Sequence, residues 1–384
     1  MGEVLRMLTE LQDLEITAAT DVPAPIARAM ELGAALAVSV SGGKDSMAML
    51  QHVAALHHRY GWKGEIYAIF AELGRIEWSG VLEHIRQACD RLGIRLVVVQ
   101  RQKGGMIDRW RERYQTLKAE GNTKPFWSSS AQRYCTSDLK RTPIDAHLRS
   151  HQLVVCATGI RAQESTNRAK QPVFKIRSNI AAKYLKTPAD HKDAQQQEAW
   201  ADHALEQWLL SDRVGRLALD WHPIFNWDIE RVWQTLGTSS TDLDRRRELF
   251  RQGDFWNALE GFSAHWAYVA GNSRLSCSQC VLASMGDLKT GALHNPFTWL
   301  ELALLEQESE WSFKRNFWLT SLRSYVLAMS SDQRYQLLKT LYGLRLVQRW
   351  ADYFRLQFLQ QVSTDAIAIW TDKFLQTVLE ELLE

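Results

Sequence analysis

Long apolar runs are missing from this 384-residue chain: no stretch reaches the roughly 18 uninterrupted apolar residues that a membrane-crossing helix needs. The segment Met1–Asp21 carries Glu and Asp and shows no signal-peptide pattern, so the expected location is the cytoplasm, with no membrane partner. An excess of one charge is also missing. Forty-six Lys and Arg face 44 Asp and Glu, a formal net charge of +2, which argues against a binder that relies on bulk positive charge to hold nucleic acid. A local basic groove is compatible with the same total. Internal repeats, low-complexity tracts and glycine–serine linkers are absent, so nothing marks a sharp domain boundary. Cysteine is scarce and odd in number, five in all. Two of them form Cys277-Ser278-Gln279-Cys280, and in a cytosolic chain that spacing favours metal, cluster or redox chemistry over structural disulfides.

What is there is an ordinary globular composition, 46% apolar and 23% charged. The length allows one large domain or two of usual size. Sixteen tryptophans, most at irregular spacing, read as bulky core and interface filler.

Short apolar runs alternate with amphipathic segments. Residues 34–40, 65–70, 95–99 and 152–157 read as buried strands, with helices expected through Met47 and Leu56 and over about 79–92. That order gives an α/β fold with an open, mostly parallel sheet and helices on both faces. Residues 1–33 are expected to form an N-terminal helical segment, and 34–225 the sheet domain with an exposed helical insertion near 181–215. Residues 226–384 are expected to be a mostly helical C-terminal region, with Leu337, Leu338, Leu341, Leu344 and Leu346 at helical spacing.

The first strand runs into Ser41-Gly42-Gly43-Lys44-Asp45-Ser46. A strand, a glycine turn and a helix start make an anion site: backbone N–H groups point at the ligand and the helix dipole adds roughly half a positive charge. Gly42 and Gly43 permit close backbone approach, Ser41 and Ser46 offer hydroxyl donors, and Lys44 offers charge. Ligands in open parallel sheets bind beyond the carboxyl ends of the strands, where this loop falls. It is not a Walker A loop, because Val38 stands where that motif has its first Gly and Asp45 where it has Ser or Thr. A turn that only connects strand to helix is the competing reading.

Ser41–Ser46 resembles the SGGxDS signature of the PP-loop ATP pyrophosphatases. The resemblance implies ATP and Mg²⁺ as cofactors, cleavage of ATP to AMP and pyrophosphate, and adenylation of an acceptor oxygen. The loop, with Ser39 just before it, would hold the departing pyrophosphate, and Asp45 would organise the loop or bind Mg²⁺. Three further segments are similar to the phosphoadenylyl-sulfate reductase branch: Arg133-Tyr134-Cys135 through Leu139-Lys140 and Pro143; Gly159-Ile160-Arg161-Ala162-Gln163-Glu164-Ser165; and Pro223-Ile224 through Trp227, Val232 and Trp233. With the loop they cover residues 35–285. The match carries Lys140, Gly159, Arg161 and Glu164 over as nucleotide-site residues, and Arg161 joins Lys44 and Asp45 as catalytic. A guanidinium grips oxyanions bidentately, and Glu164 would hold Arg161 or a metal. Trp227 and Trp233 read as packing. One departure is Ala71-Glu72-Leu73-Gly74, where the family often has Asp-Thr-Gly after the second strand.

Cys135, Cys277 and Cys280 form a set of three thiols for sulfur chemistry. They suit a [4Fe–4S] cluster, with Cys156 or a non-protein ligand as the fourth. They also suit a persulfide or dithiol pair, zinc with His265 and His294, or inert cysteines with no chemistry. Cys156 in an apolar strand and Cys89 on an amphipathic helix equally read as packing. Sulfonucleotide reductases place a nucleophilic cysteine near the C-terminus, and no cysteine follows Cys280 here. The cysteine placement is more similar to relatives that insert sulfur into the DNA backbone in bacterial phosphorothioation systems. That resemblance implies a DNA phosphate as acceptor, a cysteine desulfurase as sulfur donor, and the other phosphorothioation proteins as partners. Reduction of sulfonucleotides (PAPS or APS), tRNA thiolation, and non-catalytic nucleotide sensing in an antiphage complex are the alternatives.

Overall fold

The computed structural model describes residues 22–348, which divide into two compact units. The first takes residues 22–71 with Ile85–Val99 and Arg141–Thr238. The second takes Glu72–His84, Gln100–Lys140 and residues 239–348. The strands are β1 (Ala35–Val40), β2 (Ile66–Glu72), β3 (Arg95–Gln100), β4 (Leu153–Thr158), β5 (Phe174–Ile176) and β6 (Leu217–Trp221). The helices of eight residues or more are α1 (Ala24–Glu31), α2 (Lys44–Tyr60), α3 (Val81–Leu92), α4 (Met106–Ala119) and α5 (Ala194–Leu210). They continue with α6 (Ser240–Arg251), α7 (Met285–His294), α8 (Pro296–Ser309) and α9 (Ser331–Gly343).

Six strands make one sheet in the order β3-β2-β1-β4-β6-β5. β1 pairs in parallel with both β2 and β4, β4 with β6, and only β5 runs antiparallel, against β6. The apolar β1 is buried almost throughout, as a central parallel strand covered on both faces must be. From β1 the chain crosses through α2 to β2 on one side, while β4 lies on the other. The carboxyl ends of β1 and β4 therefore flank the point where strand order reverses, where such sheets open a crevice for ligands.

The four expected strands are present within two residues of their expected ends. β5 and β6 were not anticipated, and the 181–215 segment differs from the exposed insertion expected there. Its helix α5 buries Ala201, Ala204, Leu205 and Trp208, an i, i+3, i+4, i+7 stripe obscured in the sequence by surrounding Gln, Asp and His. The boundary near 226 also differs. Residues 226–238, with buried Val232 and Trp233, stay with the first unit, and the second draws in two segments from between the strands. Periodicity reports the local element, not the core in which a connecting segment is buried.

The second unit is mainly helical and centres on an aromatic cluster that includes Trp110, Phe126, Trp127, Trp299 and Phe313. Each of its indoles donates inward: Trp110 Nε1 to Ser128 Oγ at 3.0 Å, Trp127 Nε1 to the Trp311 carbonyl at 2.9 Å, and Trp299 Nε1 to the Leu319 carbonyl at 2.7 Å. These tryptophans bury large apolar area with the polar edge satisfied. In α9, Leu337, Leu338 and Leu341 are fully buried, while Leu344 and Leu346 follow its end. Of the helical segment expected over 1–33, α1 forms the described part, while residues 1–21 and the tail beyond residue 348 lie outside the described residues. Among the described residues no helix is long and apolar enough to cross a membrane.

Candidate active site

The turn after β1 is closed by its own serines. The Ser41 N–H donates to Ser46 Oγ at 3.1 Å, the two hydroxyls lie 3.2 Å apart, and Ser46 Oγ donates to the Gly43 carbonyl at 2.9 Å. Gly42 has φ +73°, a left-handed conformation that favours glycine. Gly43 is the N-cap of α2, extended and without a side chain to cap. The leading N–H groups of α2 thus receive no oxygen from the cap position, which is the requirement for holding an anion there. Ser39, on β1, stands in register with Ile69 on β2 and Thr158 on β4.

Asp45 is the node of this site. Its Oδ2 takes Lys44 Nζ at 3.1 Å and its Oδ1 takes Arg161 Nε at 2.5 Å. Lys44 and Arg161 are buried, 8% and 5% exposed, so the pair of cations is set against one carboxylate where charge is poorly screened. Both carboxylate oxygens are thus engaged by cations, which ties the loop to the turn after β4. Arg161 also donates through Nη1 to the Trp227 carbonyl at 3.3 Å. Glu164 accepts the Arg161 backbone N–H at 3.1 Å and pairs with Arg168, so it holds Arg161 by the backbone. Gly159 completes the arrangement. A Cβ there would come within 3.0 Å of the Asp45 carbonyl carbon and oxygen and of Ser46 Cα.

Sequence reasoning took Trp227 as packing and missed what its backbone does. Its ring packs edge-on to His52 at 4.9 Å and carries Arg231 over its face at 4.3 Å, while its carbonyl fixes Arg161. His52, buried against this ring, has its pKa pushed down to about 4, first by burial and then by Arg231 and Arg59. Thr158 was missed as well. It ends β4 opposite Ser39, and its Oγ1 is buried without a partner at the mouth of the crevice. A side-chain hydroxyl at a strand's carboxyl end beside the glycine motif was the available signal.

Cys135, Cys277 and Cys280, the cysteines expected to carry sulfur chemistry, belong to the second unit, as does Lys140. All three pack, partly buried, against its aromatic cluster. Ser278 anchors the Cys277–Cys280 turn: its N–H and Oγ both donate to the Ile76 carbonyl, at 2.8 and 2.9 Å. Ser278 and Gln279 point inward at 2% and 0% exposure, leaving the flanking cysteines partly accessible. Gly291 of α7 makes room for the turn, since a Cβ there would lie 1.9 Å from the Ser278 carbonyl oxygen. Cys280 Sγ accepts the Leu282 N–H at 3.4 Å. Burial, then the neighbouring Cys280, raises the Cys277 pKa far above the ordinary thiol range; Glu77 and Cys135 add to this and Lys140 opposes it. The Lys140 charge thus acts on the Cys277 thiol against the effect of its acidic and thiol neighbours.

The remaining candidate ligands do not complete a metal site. Among the described residues no group of three or more His, Cys, Asp and Glu is arranged to hold a metal ion. Cys156 is 1% exposed in β4, packed among Ala35, Ala37, Tyr67 and Val154 of its own sheet, and burial pushes its pKa up to about 12. Cys89 is likewise buried. His265 spends both ring nitrogens on backbone groups of Ser79 and Ala267. His294 lies among Trp78, Phe250 and Trp266, its pKa pushed down to about 3 by burial and Arg334. Neither the expected [4Fe–4S] cluster nor zinc therefore has an assembled ligand set among the described residues.

A parallel sheet with a serine-closed glycine turn at its reversal point, flanked by Lys44 and Arg161, defines a nucleotide-binding α/β protein of PP-loop-like fold. Within that class the chain belongs to the phosphoadenosine phosphosulfate reductase domain family, which it matches over residues 35–289. Among solved structures it is similar to phosphoadenylyl-sulfate (PAPS) reductase from Candida auris in a phosphate complex, at 12% identity and TM-score 0.32, covering 60% of this chain and 85% of that one. It is also similar to FMN adenylyltransferase from Candida glabrata, with FMN and the ATP analogue AMPCPP or with FAD and inorganic pyrophosphate. Each of those matches has 15% identity and TM-score 0.30, covering 61% of this chain and 66% of that one. No curated protein matches.

Proposed function

We propose that the protein cleaves Mg-ATP to AMP and pyrophosphate, adenylates a DNA backbone phosphate, and exchanges the activated oxygen for sulfur. The observation that carries this reading is the Ser41–Ser46 turn with Asp45 clamped between Lys44 and Arg161, a preorganised cationic cradle for a departing pyrophosphate. The acceptor oxygen attacks the α-phosphorus, the bond to the β-phosphate bridge breaks, and pyrophosphate leaves into the turn. The acceptor phosphorus then carries AMP as its leaving group.

Sulfur enters through the thiols. A thiolate of the set takes the terminal sulfur of a donor persulfide, releasing the donor's thiolate, which fits a cysteine desulfurase as partner. The resulting persulfide attacks the acceptor phosphorus and AMP departs with the oxygen. A second thiol of the set attacks the protein sulfur, freeing the phosphorothioate and leaving a disulfide that an external thiol reductant restores. Cys277 and Cys280, separated by two residues in one anchored turn, support this exchange.

Purified protein given Mg-ATP, DNA, cysteine, a cysteine desulfurase and a thiol reductant should release pyrophosphate in a DNA-dependent way. Nuclease digestion of that DNA should yield phosphorothioate-linked dinucleotides by mass spectrometry. Sulfite released from adenylyl sulfates, with no dependence on DNA, would instead establish sulfonucleotide reduction.

A further inference from the structure

The positive charge that is lacking overall is concentrated in one place. Residues 101–140 hold nine Lys and Arg against four Asp and Glu, in a chain whose whole net charge is +2. Arg101, Lys103, Arg109 and Arg111 are opposed by Glu112, Asp138 and Glu301. Arg113, Lys118, Lys124 and Arg133 have no carboxylate at ion-pair distance among the described residues.

Aromatic rings hold two of these unopposed cations, Lys118 and Arg113, in place. Lys118 lies over the Tyr114 ring, its Nζ donating to the Tyr114 hydroxyl at 3.4 Å. Arg113 and Arg109 share the Tyr134 ring, at 5.0 and 4.9 Å. Arg113 Nη2 donates to Gln132 at 3.3 Å, and its Nε is buried with no acceptor. The rings are continuous: Tyr114 packs on Phe126 at 5.3 Å, and the Tyr134 hydroxyl donates to the Phe126 carbonyl. Tyr134 immediately precedes Cys135. At the other end Tyr114, Lys118, Lys124 and Trp311 line a cleft of about 430 Å³. Glu308 and Glu310, both exposed, also line this cleft and bound the positive surface there.

We infer that this face, from the cleft across the C-terminal half of α4 and the 121–135 segment to Cys135, docks a single nucleic-acid strand. The inference rests on the reading of a DNA phosphodiester as the acceptor and says where that acceptor lies. A phosphodiester strand offers both regularly spaced negative charge for the four cations and flat bases for the half-buried rings of Tyr114 and Trp311 that line the cleft. An acidic peptide offers only the first.

Lys118, Lys124 and Arg133 are exposed, so the triple variant K118A/K124A/R133A should fold, and circular dichroism and ATP titration check that it does. Fluorescence anisotropy of a labelled thymidine oligonucleotide should show at least tenfold weaker binding by the variant at low salt. The slope of log affinity against log salt should fall by about 2, the loss expected for three phosphate contacts on a single strand. Unchanged affinity in the variant, no binding by the wild type, or displacement by poly-glutamate as effective per charge as by unlabelled DNA would each overturn the inference. Unchanged affinity in the variant together with DNA-stimulated pyrophosphate release would overturn the track and leave the acceptor reading standing. Weakened binding in the variant, with wild-type pyrophosphate release indifferent to DNA, would uphold the track and sink the acceptor reading.

Discussion

Arg161 donates through Nε to Asp45 Oδ1 at 2.5 Å, joining the turn after β4 to the first turn of α2. Both side chains are largely buried, 6% and 16% exposed. Removing one partner of such a pair typically costs about 3 kcal/mol or more, because the other charge is left uncompensated. R161A should therefore melt several degrees lower and lose ATP affinity and pyrophosphate release by roughly 100-fold, an amount equal to about 2.7 kcal/mol. R161K keeps the charge but not the planar fork, and should recover only part of the loss. Calorimetric melting and isothermal titration with Mg-ATP check both. Full ATP affinity in a folded R161A protein would remove this pair from the nucleotide site.

Gly159 tests the same contact by shape alone. A methyl group there meets Asp45 and Ser46 backbone atoms at 3.0 Å, which cannot rotate away as a flexible side chain would. G159A should push the loop off its position by a few tenths of an ångström and cost about 1–3 kcal/mol, the range for overpacking. ATP should bind roughly tenfold or more weakly, with the chemistry of the cysteines unaltered as read by thiol alkylation. A G159A protein that binds ATP as the wild type does would mean that the β4 turn is not held against the loop.

The centre of the sheet was legible in the sequence because β1 and β4 are buried almost throughout and carry apolar runs, Ala35–Val38 and Leu153–Ala157. The glycine turn was legible because its residue types admit few other uses. β5 was not, since Phe174–Ile176 is only three residues long on the sheet edge. The division into units was hidden for a different reason: Gln100–Lys140 reads as an ordinary connection, and only packing of Trp110, Phe126 and Trp127 against Trp299 and Phe313 shows which core it joins. The fork by which Arg161 reaches both Asp45 and the Trp227 carbonyl spans 116 and 66 residues. No spacing rule connects positions that far apart.

Cys277 and Lys140 give a prediction about reactivity. Burial and Cys280 hold the Cys277 thiol protonated well above the usual range, and the Lys140 ammonium pulls it back toward ionisation. Iodoacetamide should modify Cys277 slowly at pH 8, with a rate still rising at pH 10, and K140A should slow it further by removing the stabilising charge. Mass spectrometry of the tryptic peptide gives the rate. Faster alkylation in K140A would show that the lysine does not face the sulfur. In parallel, C277S/C280S should abolish sulfur transfer while leaving pyrophosphate release measurable, and equal loss of both would sink the division of labour between loop and thiols.

Glu306 offers the last prediction, on stability. Its side chain is fully buried in α8, with Oε1 accepting the Phe313 N–H at 2.6 Å and Oε2 those of Leu319 at 2.7 Å and Thr320 at 3.4 Å. It thereby pins the segment whose Lys314 donates to the Ala283 carbonyl, three residues past Cys280. Burial raises its pKa from 4.5 to about 7, against the three N–H donors that favour the ionised form. A folded pKa above the unfolded one means that the native state binds more protons in between. The contribution is therefore fully present below about pH 4.5 and is lost as pH rises through about 7. E306Q cannot titrate and turns an amide N–H₂ toward a backbone N–H, a mismatch that costs about 1–3 kcal/mol. Thermal melts between pH 5 and 8 should show the wild type's advantage over E306Q shrinking as pH rises. An advantage that grows with pH would mean that the backbone donors outweigh burial, and that the carboxylate is held ionised.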